Sequence, residues 1–120
     1  MLVIDAANVI GSRPTGWWRD RPGATRRFTE RVRATVTAGR LDAPVTIVLE
    51  GQGRAGADEG DVDGVAVVHA PGDADDTIAA LAKAHRDVVV VTADRELAER
   101  VRAANGTVVG PSWLLGRLAE

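Results

Sequence analysis

The side chains with most chemistry to offer are acidic, and they recur at similar places in the chain. Asp5 closes a short apolar run (residues 2–4), Glu50 closes another (45–49), and Asp94 follows four consecutive valines (88–91) by way of Thr92 and Ala93. A further group, Asp73, Asp75 and Asp76, stands where a helical pattern begins. If the apolar runs are parallel strands, their carboxylates gather at one sheet edge and repel one another, and a divalent cation relieves that repulsion. Ligands that are all oxygen select Mg²⁺ or Mn²⁺ over zinc. One or two such ions can activate water and stabilise the leaving oxygen in phosphodiester hydrolysis. Taken singly, Asp73 or Asp94 reads as a helix N-cap. Acids at three strand ends and again at an intervening helix start favour a site.

The elements that must position these acids are legible from periodicity. Short, largely apolar runs at 2–4, 45–49, 65–68, 88–91 and 107–109 read as strands, the fully apolar 2–4 as a buried one. Phe28, Val32 and Val36 recur at helical spacing within 24–38, and Ile78, Leu81, Ala82 and His85 share one face of 74–85. Leu97, Val101 and Ala104 mark a helix stopped by Asn105-Gly106, and Pro111 opens a last short one in which Trp113, Leu114 and Leu118 can pack down. Residues 8–23, rich in Gly, Pro, Arg and Trp, and 51–64, rich in Gly and Asp, read as loops. Strands alternating with helices give an α/β class with a mainly parallel sheet, whose ligands sit at the carboxyl ends of the strands.

Bulk properties narrow the choice. A chain of 120 residues fits one domain. It has no cysteine, which excludes disulfides, thiolate zinc sites and a Cys nucleophile. Met1 runs directly into an apolar strand, so neither a signal peptide nor a membrane span is expected and the expected location is cytoplasmic. The net charge of −2 hides a sorting by sign: residues 13–54 carry nine Arg against four acids, whereas 55–120 carry six bases against twelve acids, and Asp5 completes the total.

Three strings carry a family resemblance: Val3-Ile4-Asp5-Ala6-Ala7-Asn8-Val9-Ile10, Asp73-Ala74-Asp75-Asp76-Thr77-Ile78 and Val91-Thr92-Ala93-Asp94-Arg95-Glu96-Leu97. In this order they resemble the motifs of PIN-like ribonucleases, especially the NYN-domain subgroup, over nearly the whole chain. The resemblance implies a single-domain three-layer sandwich, a five-stranded sheet of order 3-2-1-4-5, and cleavage of RNA with Mg²⁺ or Mn²⁺. By matching position, Asp5, Asp75 or Asp76, and Asp94 are the catalytic acids. The expected ligand set is Asp5, Asp76 and Asp94, with Asp73 and Glu96 as further acids and Glu50 as a less regular one. Asn8 would steady the first loop or contact substrate, and Thr92 would support the metal shell. Water attacks directly, leaving 5′-phosphate and 3′-hydroxyl ends.

Around the acids, Arg13, Trp17, Trp18, Arg19 and Arg21 fall in the first loop. Arg pairs phosphate oxygens and Trp stacks bases, which is how a single strand of RNA is held without sequence reading. Arg95 joins them as a substrate contact. Arg26, Arg27, Arg31 and Arg33 extend this basic surface or form a solvated helix face. His69 and His85 read as hydrogen-bonded bystanders, and Trp113 as core. The string 59–64 is similar to a calcium loop, but Ala70 stands where the bidentate Glu is needed. Two other functions fit the same acids: a metal-dependent nucleotide pyrophosphohydrolase, and a non-catalytic nucleic-acid adaptor. On the protein side, a second copy or an antitoxin-like partner is the expectation.

Overall fold

Strands with apolar side chains on both faces must be covered on both faces. In the computed structural model, which describes residues 1–119, three layers meet this demand. Strands β1 (Leu2–Asp5), β2 (Val45–Leu49), β3 (Gly60–Val62), β4 (Val65–His69), β5 (Val89–Val91) and β6 (Thr107–Val109) form one sheet in the order β3-β4-β2-β1-β5-β6. Helices α1 (Ala6–Gly11), α2 (Arg21–Thr37), α3 (Ala74–Ala84), α4 (Arg95–Ala103) and α5 (Pro111–Leu118) cover it. Successive side chains of a strand point to opposite faces. Leu2 and Ile4 accordingly join Val9, Phe28, Val32, Leu114 and Leu118 in one core under α1, α2 and α5. Val3 joins Ala74, Ile78, Leu97 and Val101 in a second core under α3 and α4.

The sheet has six strands and is mostly parallel, where a mainly parallel sheet of five was expected. All neighbours pair in parallel except β3 and β4, which form an antiparallel hairpin at one edge. Its two-residue turn places Asp63 at φ 52 and Gly64 at φ 84. Positive φ at both central positions is the geometry that an Asp-Gly turn favours between twisted strands. The string similar to a calcium loop is thus largely this hairpin. The five remaining strands run β4-β2-β1-β5-β6, and the chain reverses its direction of growth between β1 and β5.

Residues 8–23 are more ordered than the loop expected of them. Ala6 and Val9 are buried under the short helix α1, and a 3₁₀ turn spans Trp17–Arg19. Helix α2 starts earlier than its apolar spacing indicates because the Asp20 side chain accepts from the Gly23 N–H at 3.0 Å and Pro22 occupies its first turn. A second 3₁₀ turn, Gly51–Gly56, lies on the start of α2. A Cβ on Gly56 would stand 2.5 Å from the Pro22 carbonyl oxygen, so only glycine permits this approach. Trp113, expected in the core, is 36% exposed with the Arg117 guanidinium 4.1 Å from its ring centroid. Leu114 and Leu118 occupy the buried face of α5, and Trp113 lies off it. None of the described helices is long and apolar enough to cross a membrane.

Candidate functional site

The reversal between β1 and β5 opens a crevice at the carboxyl ends of the strands, where ligands of such sheets bind. Asp5 ends β1 at the crevice and is 4% exposed. Although it precedes α1, its side chain makes no cap bond to that helix. Instead the Thr92 hydroxyl donates to Asp5 Oδ2 at 2.9 Å, and the same hydroxyl oxygen accepts from the Asp94 N–H at 3.1 Å. Thr92, 2% exposed, therefore fixes the end of β1 against the start of α4. Asp94 caps α4, its Oδ1 accepting from the Leu97 N–H at 3.0 Å. Asn8 reaches from α1 and accepts from the Ala93 N–H at 2.8 Å. From the other side, Glu50 at the end of β2 accepts through Oε2 from the Ala74 N–H at 3.2 Å, and Asp73 caps α3 at the Asp75 N–H, 3.1 Å away.

The charges reveal which acids share a common field. Burial pushes the Asp5 carboxyl up to about 6; the Thr92 hydrogen bond opposes the rise, and repulsion from Glu50, Asp75 and Asp94 adds to it. Asp75 is also raised, first by burial and then by Asp94, Asp73 and Glu50, with Arg100 opposing. Asp5, Glu50, Asp75 and Asp94 thus form the inner group.

The acids expected as ligands fall in different places around this group. Asp76 is turned away from the inner group: its Oδ1 pairs with the Arg100 guanidinium at 2.9 Å and its side chain is 87% exposed. Successive positions on a helix diverge by about 100°, so Asp75 and Asp76 cannot both face the crevice. Asp73 is a helix cap that reaches the inner group only through its effect on Asp75. Glu96, exposed in the first turn of α4, is not among the groups acting on either raised carboxyl. Glu50, which strand spacing placed beside Asp5 and Asp94 and the family resemblance ranked as a less regular acid, lies with the inner group. Arg100 escaped the sequence reading altogether, since nothing in the sequence singles it out among the arginines of α4.

Hydrogen bonds engage one oxygen each of Asp5, Glu50 and Asp94, leaving the other. An all-carboxylate donor set of this kind suits a hard divalent cation. In the arrangement seen, no three His, Asp or Glu side chains among the described residues converge closely enough to hold one. Loading would require the carboxylates to turn inward.

The proposed substrate residues fall in three places. Trp17 is half-buried and Trp18 is 53% exposed. The two rings meet edge to face at 6.2 Å, with Arg21 5.3 Å from the Trp17 centroid and Arg19 5.9 Å from that of Trp18. Trp17, Arg21 and Glu50 line a cleft of about 260 Å³ beside the acids. Arg13 lies instead over a separate hollow with Arg27 and Phe28, and Arg95 borders another with Thr92 and Asp94. Arg31 is structural: its Nε–H donates to the Leu118 carbonyl at 2.6 Å, tying α2 to α5. His69 is within hydrogen-bond distance of the Ala57 carbonyl, Nε2 to oxygen 2.7 Å, as a bystander would be. The small residues that make the cleft, Ala6, Ala7 and Gly53, carry no chemical signal and were not singled out by sequence.

No protein-family model matches the sequence, and no curated protein matches it. Among solved structures, the chain is similar to a crystal structure of a single-substitution variant of Rae1 (YacP) from Bacillus subtilis. The TM-score is 0.75 over 98% of this chain and 73% of that one, at 17% identity. Likeness at that identity is one of fold.

Proposed function

We propose that this chain is a PIN-like domain of the NYN subgroup that hydrolyses RNA phosphodiesters with a divalent cation. The observation that carries the reading is Asp5: a buried carboxyl at the strand-order reversal, raised to about 6 by burial and by Glu50, Asp75 and Asp94. Groups so perturbed in a crevice mark functional sites more often than structural ones. RNA as the polymer follows from the motif resemblance, and a single strand suits the Trp and Arg residues beside the acids.

Asp5, Asp75 and Asp94 would hold the ion, with Glu50 beside them. A bound Mg²⁺ or Mn²⁺ supplies positive charge that lowers the pKa of water and balances the leaving oxygen. The chain's own residues do the rest. Thr92 orients Asp5 by holding Oδ2, and its contact with the Asp94 backbone keeps the two acids in register. Asn8 holds the backbone between them at Ala93. Glu50, whose Oε2 is engaged by the Ala74 N–H, would take the proton of the attacking water on Oε1.

The test is cleavage of single-stranded RNA with Mn²⁺, with Mg²⁺ and in chelator, beside Asp94→Asn. Cutting that needs the metal and vanishes in the variant is expected; full activity in chelator rejects the reading. The limited size of the cleft favours one alternative, hydrolysis of small nucleotides. Release of phosphate or pyrophosphate from nucleoside triphosphates, with RNA left intact, would select it.

A further inference from the structure

We propose that the cleft between α1 and the start of α2 receives one unpaired nucleobase of the RNA strand, stacked on Trp17, while the strand's backbone passes the acids. The identity of the strand rests on the ribonuclease reading; the base site itself rests on the cleft. Its walls are the small residues Ala6 and Ala7, the buried Leu49, and Trp17, with Glu50 and Arg21 at its edge. Two of these walls are shared with the acidic crevice. Ala6 follows Asp5 directly, and Glu50 is one of the charges that raise it. A group in the cleft is therefore a neighbour of whatever the acids hold.

The chemistry of the cleft selects the group. A phosphate is disfavoured: Arg21, the one cation among the described residues of the lining, lies over the Trp17 ring and is offset by Glu50, and Asp5 immediately precedes the lining residue Ala6. A flat, uncharged ring fits: methyl groups and an indole contact its faces, and a carboxylate accepts from N–H groups on its edge. The volume, about 260 Å³, is below the ~300 Å³ at which pockets for drug-sized ligands begin, so a base pair does not enter. Trp17 is also held ready. A Cβ on Gly11 would lie 3.4 Å from its Cζ2, and Trp18 abuts it edge-on at 86°. A stacking surface fixed before binding loses little freedom when a base arrives.

The experiment measures binding in chelator, so that cleavage plays no part. Of the three tryptophans, Trp18 and Trp113 are replaced by Phe, leaving Trp17 as the only fluorophore. A short single-stranded oligoribonucleotide and an abasic chain of the same length are the probes. Saturable quenching by the intact chain is expected. Because the quenching signal goes with the indole, the Trp17 variants are read by fluorescence anisotropy of the same oligoribonucleotide carrying a terminal dye: Trp17→Ala should weaken binding about tenfold, the usual worth of one stacked base, and Trp17→Phe should retain most of it. The exposed Ala7→Leu fills the cleft from α1 and should weaken binding likewise with thermal stability unchanged. The abasic chain should bind like the Trp17→Ala protein. Equal affinity for intact and abasic chains, or no effect of Ala7→Leu, overturns the proposal. Base-dependent quenching in a protein that cuts no RNA with Mn²⁺ would remove the ribonuclease reading and leave the base site. Metal-dependent cutting with a KM indifferent to Ala7→Leu would do the reverse.

Discussion

At the scale of single residues, Asp5 is under opposing demands. Burial disfavours its charge, whereas binding a cation needs that charge. In the folded chain its pKa is pushed up to about 6, from an ordinary value of 3.8. Between these values the folded chain keeps a proton that the unfolded chain has released, so stability falls as pH rises through this window. Above it the ionised, metal-free form carries a cost of roughly 3 kcal/mol from a shift of about two units. Asp5→Asn keeps an acceptor for Thr92 and removes the charge. In chelator near neutral pH the variant should therefore resist urea better than the parent, by about 1–3 kcal/mol. The gap should close towards pH 4, and a gap independent of pH would refute this account of Asp5. A parallel contrast separates the adjacent acids. Asp75→Asn should abolish cleavage and metal binding, while Asp76→Asn loses only an exposed ion pair worth under ~1 kcal/mol and keeps activity within a few-fold. Equal losses of activity would return Asp76 to the site.

At the scale of elements, the helix starts serve the fold and the site with the same side chains, which is why sequence could name Asp94 but not separate its roles. Asn caps a helix about as well as Asp. Asp94→Asn should accordingly keep its melting temperature yet lose any stabilisation on adding Mn²⁺, whereas Asp94→Ala should also lose about 1 kcal/mol of stability. A Mn²⁺-dependent thermal shift surviving in Asp94→Asn would show that the cap is its whole function. The parallel strands were legible because their apolar runs are continuous. The β3-β4 hairpin was not, because β3 is three exposed residues with no buried face to pattern. Helix α1 was missed for a related reason: six residues are too few for a period to show, and the helix persists through the burial of Ala6 and Val9 rather than through propensity. Asp5, Glu50 and Asp94 could be read from strand ends and Thr92 from the motif resemblance, while the different directions of Asp75 and Asp76 needed the rotation of α3, and the contact of Glu50 with α3 needed its bond to Ala74.

At the scale of the whole molecule, the sorting of charge along the sequence becomes a partition of roles among arginines. Arg19 and Arg21 lie over the tryptophans beside the cleft, where a strand running past the acids would meet them. Arg31 belongs to the same basic segment of sequence but spends its guanidinium on the Leu118 carbonyl. Phosphate contacts release counterions, so the logarithm of RNA affinity should fall linearly with the logarithm of salt concentration. Replacing Arg19 and Arg21 together by Gln should flatten that slope by roughly 1.4, at about 0.7 per single-strand phosphate contact. Arg31→Gln should leave the slope alone and lower stability by about 1 kcal/mol, as expected for the loss of one hydrogen bond between α2 and α5. Filter binding across a salt series, paired with urea unfolding of the same variants, separates the two kinds of arginine. A slope reduced equally by Arg31→Gln would mean that the whole basic segment acts as one diffuse surface, and that the strand is not confined to the path past Trp17 and Trp18.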